Sequence, residues 1–315
     1  MATLLVALLT ILSLVVVGIE AGQKVIISLL DSAIAKGADG TPPAYAYRPG
    51  FGDGVDNWHV YLETNNLELQ CKGGGWCWNL EQCLGRAKIP LGSSAKLIST
   101  NNGSVPFQGM LDDNSTFNPD FHNWHVFKIF YCDGSSFMSD VEDVDPKHNL
   151  TYRGARIYDA MMDELLRIGM GNAKNAVRQI SLTLYQDRSQ SWINCIRNLM
   201  SCNLTEIEIM KDFRFTFINT LKSTIANSSS RRGYFVHNCY RHGHIEEIRG
   251  STCSLIVGNG LANKNIAEAV GDWYFDRSEF QEMDMLNNLP RNCTGDDLPI
   301  LEKKCSDYYI HHQMP

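Results

Sequence analysis

The sequence contains no long run of basic residues, and its 315 residues carry a formal net charge of −7. This balance argues against nucleic acid and anionic membrane surfaces as partners, because both attract clustered lysine and arginine. The sequence also contains no internal repeat and no low-complexity tract. Hydrophobic residues make up 44% and charged residues 20% of the chain, which is the composition of a globular protein with a buried core.

Charged residues are absent from residues 3–19, which form an almost unbroken apolar run followed by the small residues Ala21 and Gly22. This pattern is typical of a secretory signal peptide with its cleavage region. A single membrane anchor is the alternative, but the run is short for a span and no basic stop-transfer cluster follows it. We therefore expect a signal peptide at residues 1–22, a single domain at residues 23–315, and a secreted protein without a stable membrane anchor.

Ten cysteines agree with an oxidising compartment, in which most of them should pair. Their short spacing makes Cys77 and Cys83 a plausible local pair. The disulfide candidates are Cys77, Cys83, Cys132, Cys195, Cys202 and Cys239. Six N-x-S/T sequons are candidate glycosylation sites in surface loops, at Asn102, Asn114, Asn149, Asn203, Asn227 and Asn292.

Hydrophobic periodicity predicts strands that alternate with helices. The predicted strands are residues 58–62, 126–131 and 232–237, and the predicted helices are residues 153–170, 206–223 and 265–275. In one interpretation residues 172–179 continue the first helix beyond an interruption at Gly169 and Gly171. Alternating strands and helices are typical of the α/β class.

A run of three glycines, at residues 73–75, follows the first predicted strand and leads into Trp76 and Cys77. Consecutive glycines let the backbone approach a ligand closely and turn its N–H groups inward. Such a loop can bind a developing oxyanion, as the HGGG-type loops of esterases do. A tight turn without a ligand is the alternative interpretation.

Residues 237–244 (HNCYRHGH) follow the last predicted strand. In α/β-hydrolases the catalytic histidine comes last in chain order, on a loop after a late strand, and His242 fits that place. A metal site built from these histidines and Cys239 is an alternative, but the cysteine should be oxidised in this compartment and no second cluster supplies carboxylates. We expect no metal; surface histidines beside a structural disulfide are the remaining alternative.

Ser135 follows an Asp-Gly pair at the end of the second predicted strand, in the run YCDGSSF at residues 131–137. A serine at a strand end is a candidate nucleophile. However, the pattern is not G-x-S-x-G, and a nucleophile elbow needs small residues on both sides of its serine. We therefore interpret the run as a turn anchored by a disulfide at Cys132.

Five runs of the sequence resemble the plant pectin acetylesterases, and Notum carboxylesterases are more distant relatives. The runs are GGGWCWN at 73–79, NPDF at 118–121, YCDGSSF at 131–137, MDELL at 162–166 and VGDWYFDR at 270–277. The resemblance implies an α/β-hydrolase fold, with a mostly parallel central sheet flanked by helices. It also implies a Ser-Asp-His triad without a metal or organic cofactor. Residue by residue, Gly75 and Trp76 match the oxyanion-hole loop and His242 matches the triad histidine.

The resemblance does not extend to the nucleophilic serine, because the chain contains no G-x-S-x-G motif. After MDELL and the following residues to Lys174, the sequence soon reaches a run at 187–192 that resembles a family stretch beyond the elbow. The family's triad aspartate is missing as well, so one contiguous deletion explains both losses. Ser181 lies closest to the junction, but bulky neighbours make an elbow there strained. We expect the strand that precedes the elbow to be missing and the sheet to be incomplete.

The resemblance therefore implies a pectin acetylesterase-type hydrolase of the plant cell wall, with acetylated homogalacturonan as substrate. The missing nucleophile segment suggests two alternatives: a catalytically inactive relative that binds pectin or a wall protein, and a splice or gene-model variant without function.

Overall fold

The structure is a computed structural model, and it describes residues 22–32, 34–63, 77, 79–130, 132–135, 137–180, 195, 199–226, 234–236, 265–278 and 281–283. The predicted signal peptide lies outside these residues apart from Gly22. Among the helices of the described part, none combines the length and apolar character needed to cross a membrane.

The described residues form eight strands and five α-helices. The strands are β1 (Gln23–Leu29), β2 (Ala44–Arg48), β3 (Asn57–Leu62), β4 (Ser104–Phe107), β5 (His125–Ile129), β6 (Asn175–Ile180), β7 (Tyr234–Val236) and β8 (Gln281–Met283). The helices are α1 (Leu80–Arg86), α2 (Ser94–Thr100), α3 (Gly154–Arg167), α4 (Leu204–Ala226) and α5 (Ile266–Tyr274). All six elements predicted from periodicity are present, with ends shifted by a few residues.

The first six strands form one mixed sheet in the order β4-β1-β2-β5-β3-β6, and β7 and β8 form a separate parallel pair. Strand β3 lies between β5 and β6 and runs parallel to both. The pairings β1–β4, β1–β2 and β2–β5 are antiparallel. The α/β class is therefore confirmed. A mostly parallel sheet is not confirmed by the described strands, because the N-terminal part adds an antiparallel half on one side of β5.

Strand β6 corrects two sequence-based predictions. Residues 175–180 are extended and pair with Asn57–Leu62 over their whole length, so they do not continue helix α3. A strand therefore does follow the MDELL helix, where we expected the strand before the elbow to be missing. The alternation of apolar residues is weak in β6, because Arg178 and Gln179 interrupt it; pairing with β3 determines its conformation instead.

Helix α3 covers one face of the sheet with residues at helical spacing. Ile157, Met161 and Leu165 are fully buried and pack on Trp58 and its neighbours in β3 and β5. The opposite face buries a second cluster, centred on the residues Val25, Ile27, Ala44, Ala46, Tyr61, Phe107 and Val126. Burial on both faces is what the α/β class requires.

The NPDF run docks helix α5 on the sheet. Asn118 is buried and donates through Nδ2 to the carbonyls of Met110 and Asp112, both at 2.9 Å. Asp120 receives two hydrogen bonds from Arg277, of 2.8 and 2.6 Å. The Phe121 ring contacts the rings of Trp124, of Tyr274 at the end of α5 and of Phe275 directly after it. Two of the family-like runs are thus one packing unit, joined by Asp120 and Arg277, which are 157 residues apart in sequence.

Gly271 makes this contact possible, because a Cβ at this position would overlap the Asp120 carboxylate. We predict that Gly271→Ala separates Asp120 from Arg277 and lowers the free energy of unfolding by about 2 kcal/mol. Gly85→Ala in helix α1 is the matched control, since a Cβ there meets no atom within 4 Å and alanine favours the helix. Urea unfolding, monitored by tryptophan fluorescence, measures the free energy of unfolding of both variants. Equal stability of Gly271→Ala and the natural protein would contradict this packing.

Asp112 is almost fully buried beside Arg48, whose guanidinium is also buried. Its Oδ1 accepts the Asn114 N–H at 2.8 Å. Burial nevertheless raises the pKa of the Asp112 carboxyl to about 6, and neighbouring Asp113 adds to this shift. The carboxyl is therefore protonated in the folded protein at a pH where the unfolded chain has already lost that proton.

The raised pKa predicts that Asp112 lowers the free energy of unfolding as the pH rises from about 4 to about 6. Well below pH 4 both states are protonated and the residue costs nothing; above the folded pKa the cost is fully present, about 3 kcal/mol. Asp112→Asn should therefore be more stable than the natural protein at pH 7.5 and similar to it at pH 4. Urea midpoints at the two pH values test this, and a stability difference independent of pH would contradict it.

Candidate functional site at the carboxyl ends of the parallel strands

The order of β5, β3 and β6 marks one edge of the sheet as a candidate site. The chain passes from β3 to β5 on one side and then returns through α3 to β6 on the other. In open α/β sheets, ligands bind outside the carboxyl ends of the strands where the connections diverge in this way. Here that place lies beyond Leu62 of β3 and Ile180 of β6, beside the end of β5.

The residues proposed for catalysis fall outside the described part of the chain. Gly75 and Trp76, which match the oxyanion loop, and His242, which matches the triad histidine, are not among the described residues, and neither is Ser181. The same holds for Cys239, Asn227 and Asn292. The described residues instead define the framework around this edge, from which the glycine-rich and junction segments begin.

Cys77, directly after the glycine-rich run, is fixed to two neighbours. It forms a disulfide with Cys83 of helix α1, as the spacing suggested, with the Cα atoms 5.1 Å apart. Its N–H donates to the Gly134 carbonyl at 3.0 Å. A Cβ on Gly134 would overlap the Cys77 Sγ, so only glycine allows this approach. The GGGWCWN and YCDGSSF runs therefore meet at the carboxyl end of β5.

Asp133 is the centre of the YCDGSSF turn. Its carboxylate is fully buried and accepts hydrogen bonds from the Ser135 N–H at 3.0 Å, the Ser135 hydroxyl at 2.6 Å and the Phe137 N–H at 3.3 Å. Burial raises the pKa of the Asp133 carboxyl, while the bonds from Ser135 and Phe137 and the charge of Arg86 oppose that shift. Ser135 thus donates its hydroxyl proton to a structural carboxylate, which supports the interpretation as a turn.

The first turn of helix α3 lies against this carboxylate. A Cβ on Gly154 would overlap the Asp133 Oδ2, and the Gly154 N–H donates to the Ser139 Oγ at 3.1 Å. The Ser139 N–H in turn donates to the Ser135 Oγ at 2.9 Å. The positive end of the helix dipole therefore faces a buried carboxylate, an arrangement that stabilises both.

Cys132 contradicts the prediction of a disulfide anchor in this turn. It is fully buried and is the one free cysteine among the described residues. Burial raises the pKa of its thiol to about 12, so the thiol stays protonated and behaves as a small apolar side chain. Gly37 packs on it, and the Ala38 N–H donates to its carbonyl at 2.8 Å. Helix and loop packing, rather than a disulfide, holds this position.

A buried ion pair at the same edge was not predicted from the sequence. The Lys128 Nζ lies 3.4 Å from the Glu63 carboxylate, and both side chains are almost fully buried. The ammonium lies 5.3 Å from the ring centre of Phe130 and 5.7 Å from that of Tyr61. The Glu63 N–H also donates to the Ile129 carbonyl at 2.9 Å. Both charges lie where β3 and β5 end, and nothing in the local sequence indicates that they pair.

A second disulfide joins Cys195 and Cys202, both of which were candidates for pairing. Together with Glu206 they place three potential metal ligands within 4.8 Å of one another. The sulfurs are bonded to each other, and the Glu206 carboxylate accepts the Asn203 N–H at 2.8 Å while Asn203 Oδ1 accepts the Glu206 N–H at 2.9 Å. The set is therefore a disulfide next to a capped helix start.

The asparagines of the four sequons in the described part of the chain lie on the surface, although Leu150 and Thr151 of the Asn149 sequon are buried. The asparagine side chains of Asn102, Asn114, Asn149 and Asn203 are exposed. Asn114 Oδ1 accepts the Thr116 N–H at 2.9 Å, which closes a turn around its own sequon. These positions are compatible with glycans, and glycosylation itself stays a prediction.

The contact between Gly37 and Cys132 predicts an engineered disulfide. A Cβ on residue 37 would lie 3.4 Å from the Cys132 Cβ and 3.3 Å from its Sγ, close to the spacing of bonded cysteines. We expect Gly37→Cys to oxidise with Cys132 and to raise the free energy of unfolding by about 2 kcal/mol, because the loop it closes is long. Peptide mapping without reduction detects the bond. Gly171→Cys, where a Cβ would meet only the Leu166 side chain within 4 Å, is the control; a free thiol at residue 37 would contradict the contact.

Comparison with known proteins gives a consistent result over most of the chain. The family model described as Pectinacetylesterase matches in two segments, residues 19–179 and 176–295. Pectin acetylesterase 11 of Arabidopsis thaliana is 29% identical over 382 residues, with 87% of this chain and 93% of that protein covered. Pectin acetylesterase 7 of the same plant is 28% identical, with 88% and 93% covered. The palmitoleoyl-protein carboxylesterase NOTUM of Schmidtea mediterranea is 30% identical over 129 residues, 40% of this chain and 22% of that protein.

These matches also show that this chain is shorter than the relatives over the aligned region. An alignment of 382 residues takes up 87% of the 315 residues here, about 274, so roughly a hundred positions of that relative have no counterpart in this chain. The two segments of the family match meet at residues 176–179, inside strand β6.

Proposed function

Because this chain belongs to the pectinacetylesterase family, we propose that it is a pectin acetylesterase-type hydrolase that removes acetyl esters from homogalacturonan in the plant cell wall. By family it is a carboxylic-ester hydrolase. The observation that carries the proposal is the family match over residues 19–179 and 176–295, in which both halves of the candidate site fall.

The proposed site uses the carboxyl edge of β3, β5 and β6. Gly75 and Trp76 would offer backbone N–H groups to the oxyanion that forms when the acetyl carbonyl is attacked. His242 would act as the general base and acid. The framework supports this arrangement, because Glu63 and Cys77, at the two ends of the glycine-rich segment, are both fixed to β5 or to the loop after it.

The overall fold is proposed to be α/β-hydrolase-like. The parallel order β5-β3-β6, with helix α3 connecting β5 to β6, supports this. We also propose that residues 1–22 are a signal peptide, that residues 23–315 form one domain and that the protein is secreted to the wall. The two disulfides and the four exposed sequon asparagines agree with secretion.

A second candidate function is acetyl-pectin binding without hydrolysis. It is favoured by the lack of a G-x-S-x-G in the sequence and by the junction of the two family segments at residues 176–179, close to where the resemblance implies that the nucleophile segment is missing. Without a nucleophilic serine no acyl-enzyme forms, and the remaining groups give only a small part of the catalysis. A splice or gene-model variant without a stable product is the third alternative.

Labelling with a fluorophosphonate probe separates these candidates. A hydrolase of this family should be labelled on one serine and should release acetate from acetylated homogalacturonan. Labelling that is lost in Ser181→Ala, but kept in the control Ser99→Ala on helix α2, would identify a nucleophile at the junction. Binding to acetylated homogalacturonan with neither labelling nor acetate release supports the second candidate. If no folded protein is secreted, the third alternative is correct and the proposed function is wrong.

A further inference from the structure

Asp112 and Asp113 form a pair of carboxyl groups outside the candidate site. Asp112 is almost fully buried. Burial raises the pKa of its carboxyl, and the charge of Asp113 and a side-chain hydrogen bond between the two carboxyls raise it further. Two carboxyls can share a hydrogen bond only while one of them holds a proton. The pair is therefore intact when Asp112 is protonated, and the two groups repel each other when both are ionised.

Arg48 of β2 is the cation that faces this pair, and its charge acts on both carboxyls. Its side chain is buried, and its Nη2 donates to the His122 carbonyl at 3.0 Å. Its Nε and Nη1 have no hydrogen-bond partner within the described part of the chain. Attraction without a direct hydrogen bond offsets only part of the cost of burying a carboxylate. The ionised form of Asp112 is therefore unfavourable in this position.

Asp112 and Arg48 hold the NPDF run at residues 118–121 from its two ends. The Asp112 carboxylate accepts the Asn114 N–H at 2.8 Å, and the Asp112 carbonyl accepts a bond from Asn118 Nδ2 at 2.9 Å. The Asn118 N–H donates to the Asn114 carbonyl at 3.0 Å. At the other end, Arg48 binds the carbonyl of His122, directly after the run. A displacement of Asp112 or Arg48 therefore changes the support of the whole run.

The same run is the surface on which helix α5 docks. Met110 and Phe121 belong to one buried cluster with Ile266 of the helix, and Asp120 binds the guanidinium of Arg277. Met110 lies two residues before Asp112 in the same loop. The groups that hold the run and the groups that hold the helix are thus parts of one continuous network.

We propose that Asp112 is a proton-dependent switch for the docking of helix α5. With a proton on Asp112 the loop is intact and the helix stays docked; without the proton the loop loosens and the helix separates from the sheet more often. Two histidines also lie near the NPDF run: His59 of β3, whose ring centre is 6.0 Å from that of Phe121, and His122, whose Nδ1 is buried. The inference does not depend on the proposed function.

Hydrogen exchange of the full secreted chain at pH 4.5 and pH 7.5 tests the switch, with each rate divided by that of an unstructured peptide at the same pH. Peptides from α5 (Ile266–Tyr274) report its opening, and peptides from α3 (Gly154–Arg167) report unfolding of the whole domain. We expect the opening equilibrium of α5 to rise about twentyfold between the two pH values, because the pKa of Asp112 is about 6 when the loop is closed and about 4 when it is open.

The matched variants are Asp112→Asn and Asp163→Asn. Asp112→Asn keeps the shape of the side chain and cannot ionise, so the opening of α5 should become almost independent of pH. Asp163 is exposed on α3, so Asp163→Asn should keep the twentyfold change of the natural protein.

Three results would overturn the inference. The first is equal protection of α5 in the natural protein at both pH values. The second is a pH dependence that persists in Asp112→Asn, since this variant keeps His59 and His122 and the effect would then come from other groups. The third is equal protection of α5 and α3 at pH 7.5, because the helix would then open only when the whole domain unfolds.

Discussion

The buried carboxylate of Asp133 is the interaction on which this structure depends most. It closes the turn after β5, faces the first turn of α3 and lies in a loop whose carbonyls hold Arg86 and Cys77. A buried carboxylate is stable only when its oxygens are satisfied, so the donors of Ser135 and Phe137 must stay in place. Gly134 and Gly154 allow the close approach that this requires. The turn after β5 is therefore the place where helix α1, Cys77 and the start of helix α3 meet.

The sequence motifs that mark the family are largely motifs of packing. NPDF and VGDWYFDR meet through Asp120, Gly271 and Arg277, and GGGWCWN meets YCDGSSF through Cys77 and Gly134. The first of these contacts joins the two segments of the family match, on either side of residues 176–179. Helix α5 therefore docks on the N-terminal half although roughly a hundred positions of the relatives have no counterpart here. The contact between these two motifs therefore forms in a chain that lacks those positions.

Strong local patterns could be predicted from the sequence, and long-range relations could not. The strand His125–Ile129 and the helix Gly154–Arg167 have clear apolar periodicity and were found. Strand β2 was missed because turn-forming residues surround it and its buried positions are the small Ala44 and Ala46. Residues 172–179 were interpreted as a possible continuation of the helix, because the sequence of β6 is polar and only its pairing with β3 makes it a strand. The free Cys132 and the Lys128–Glu63 pair depend on which loops meet in space, which spacing along the chain does not reveal.

The central claim is that this edge of the sheet binds the acetyl group of pectin. A crystal structure of the secreted protein with an acetylated galacturonate oligomer tests it most directly. The account predicts the acetyl carbonyl beyond the ends of β3, β5 and β6, within hydrogen-bonding distance of the backbone N–H groups of Gly75 or Trp76. An oligomer bound with its acetyl group at any other surface, such as the opposite edge near Asp120 and Arg277, would contradict it.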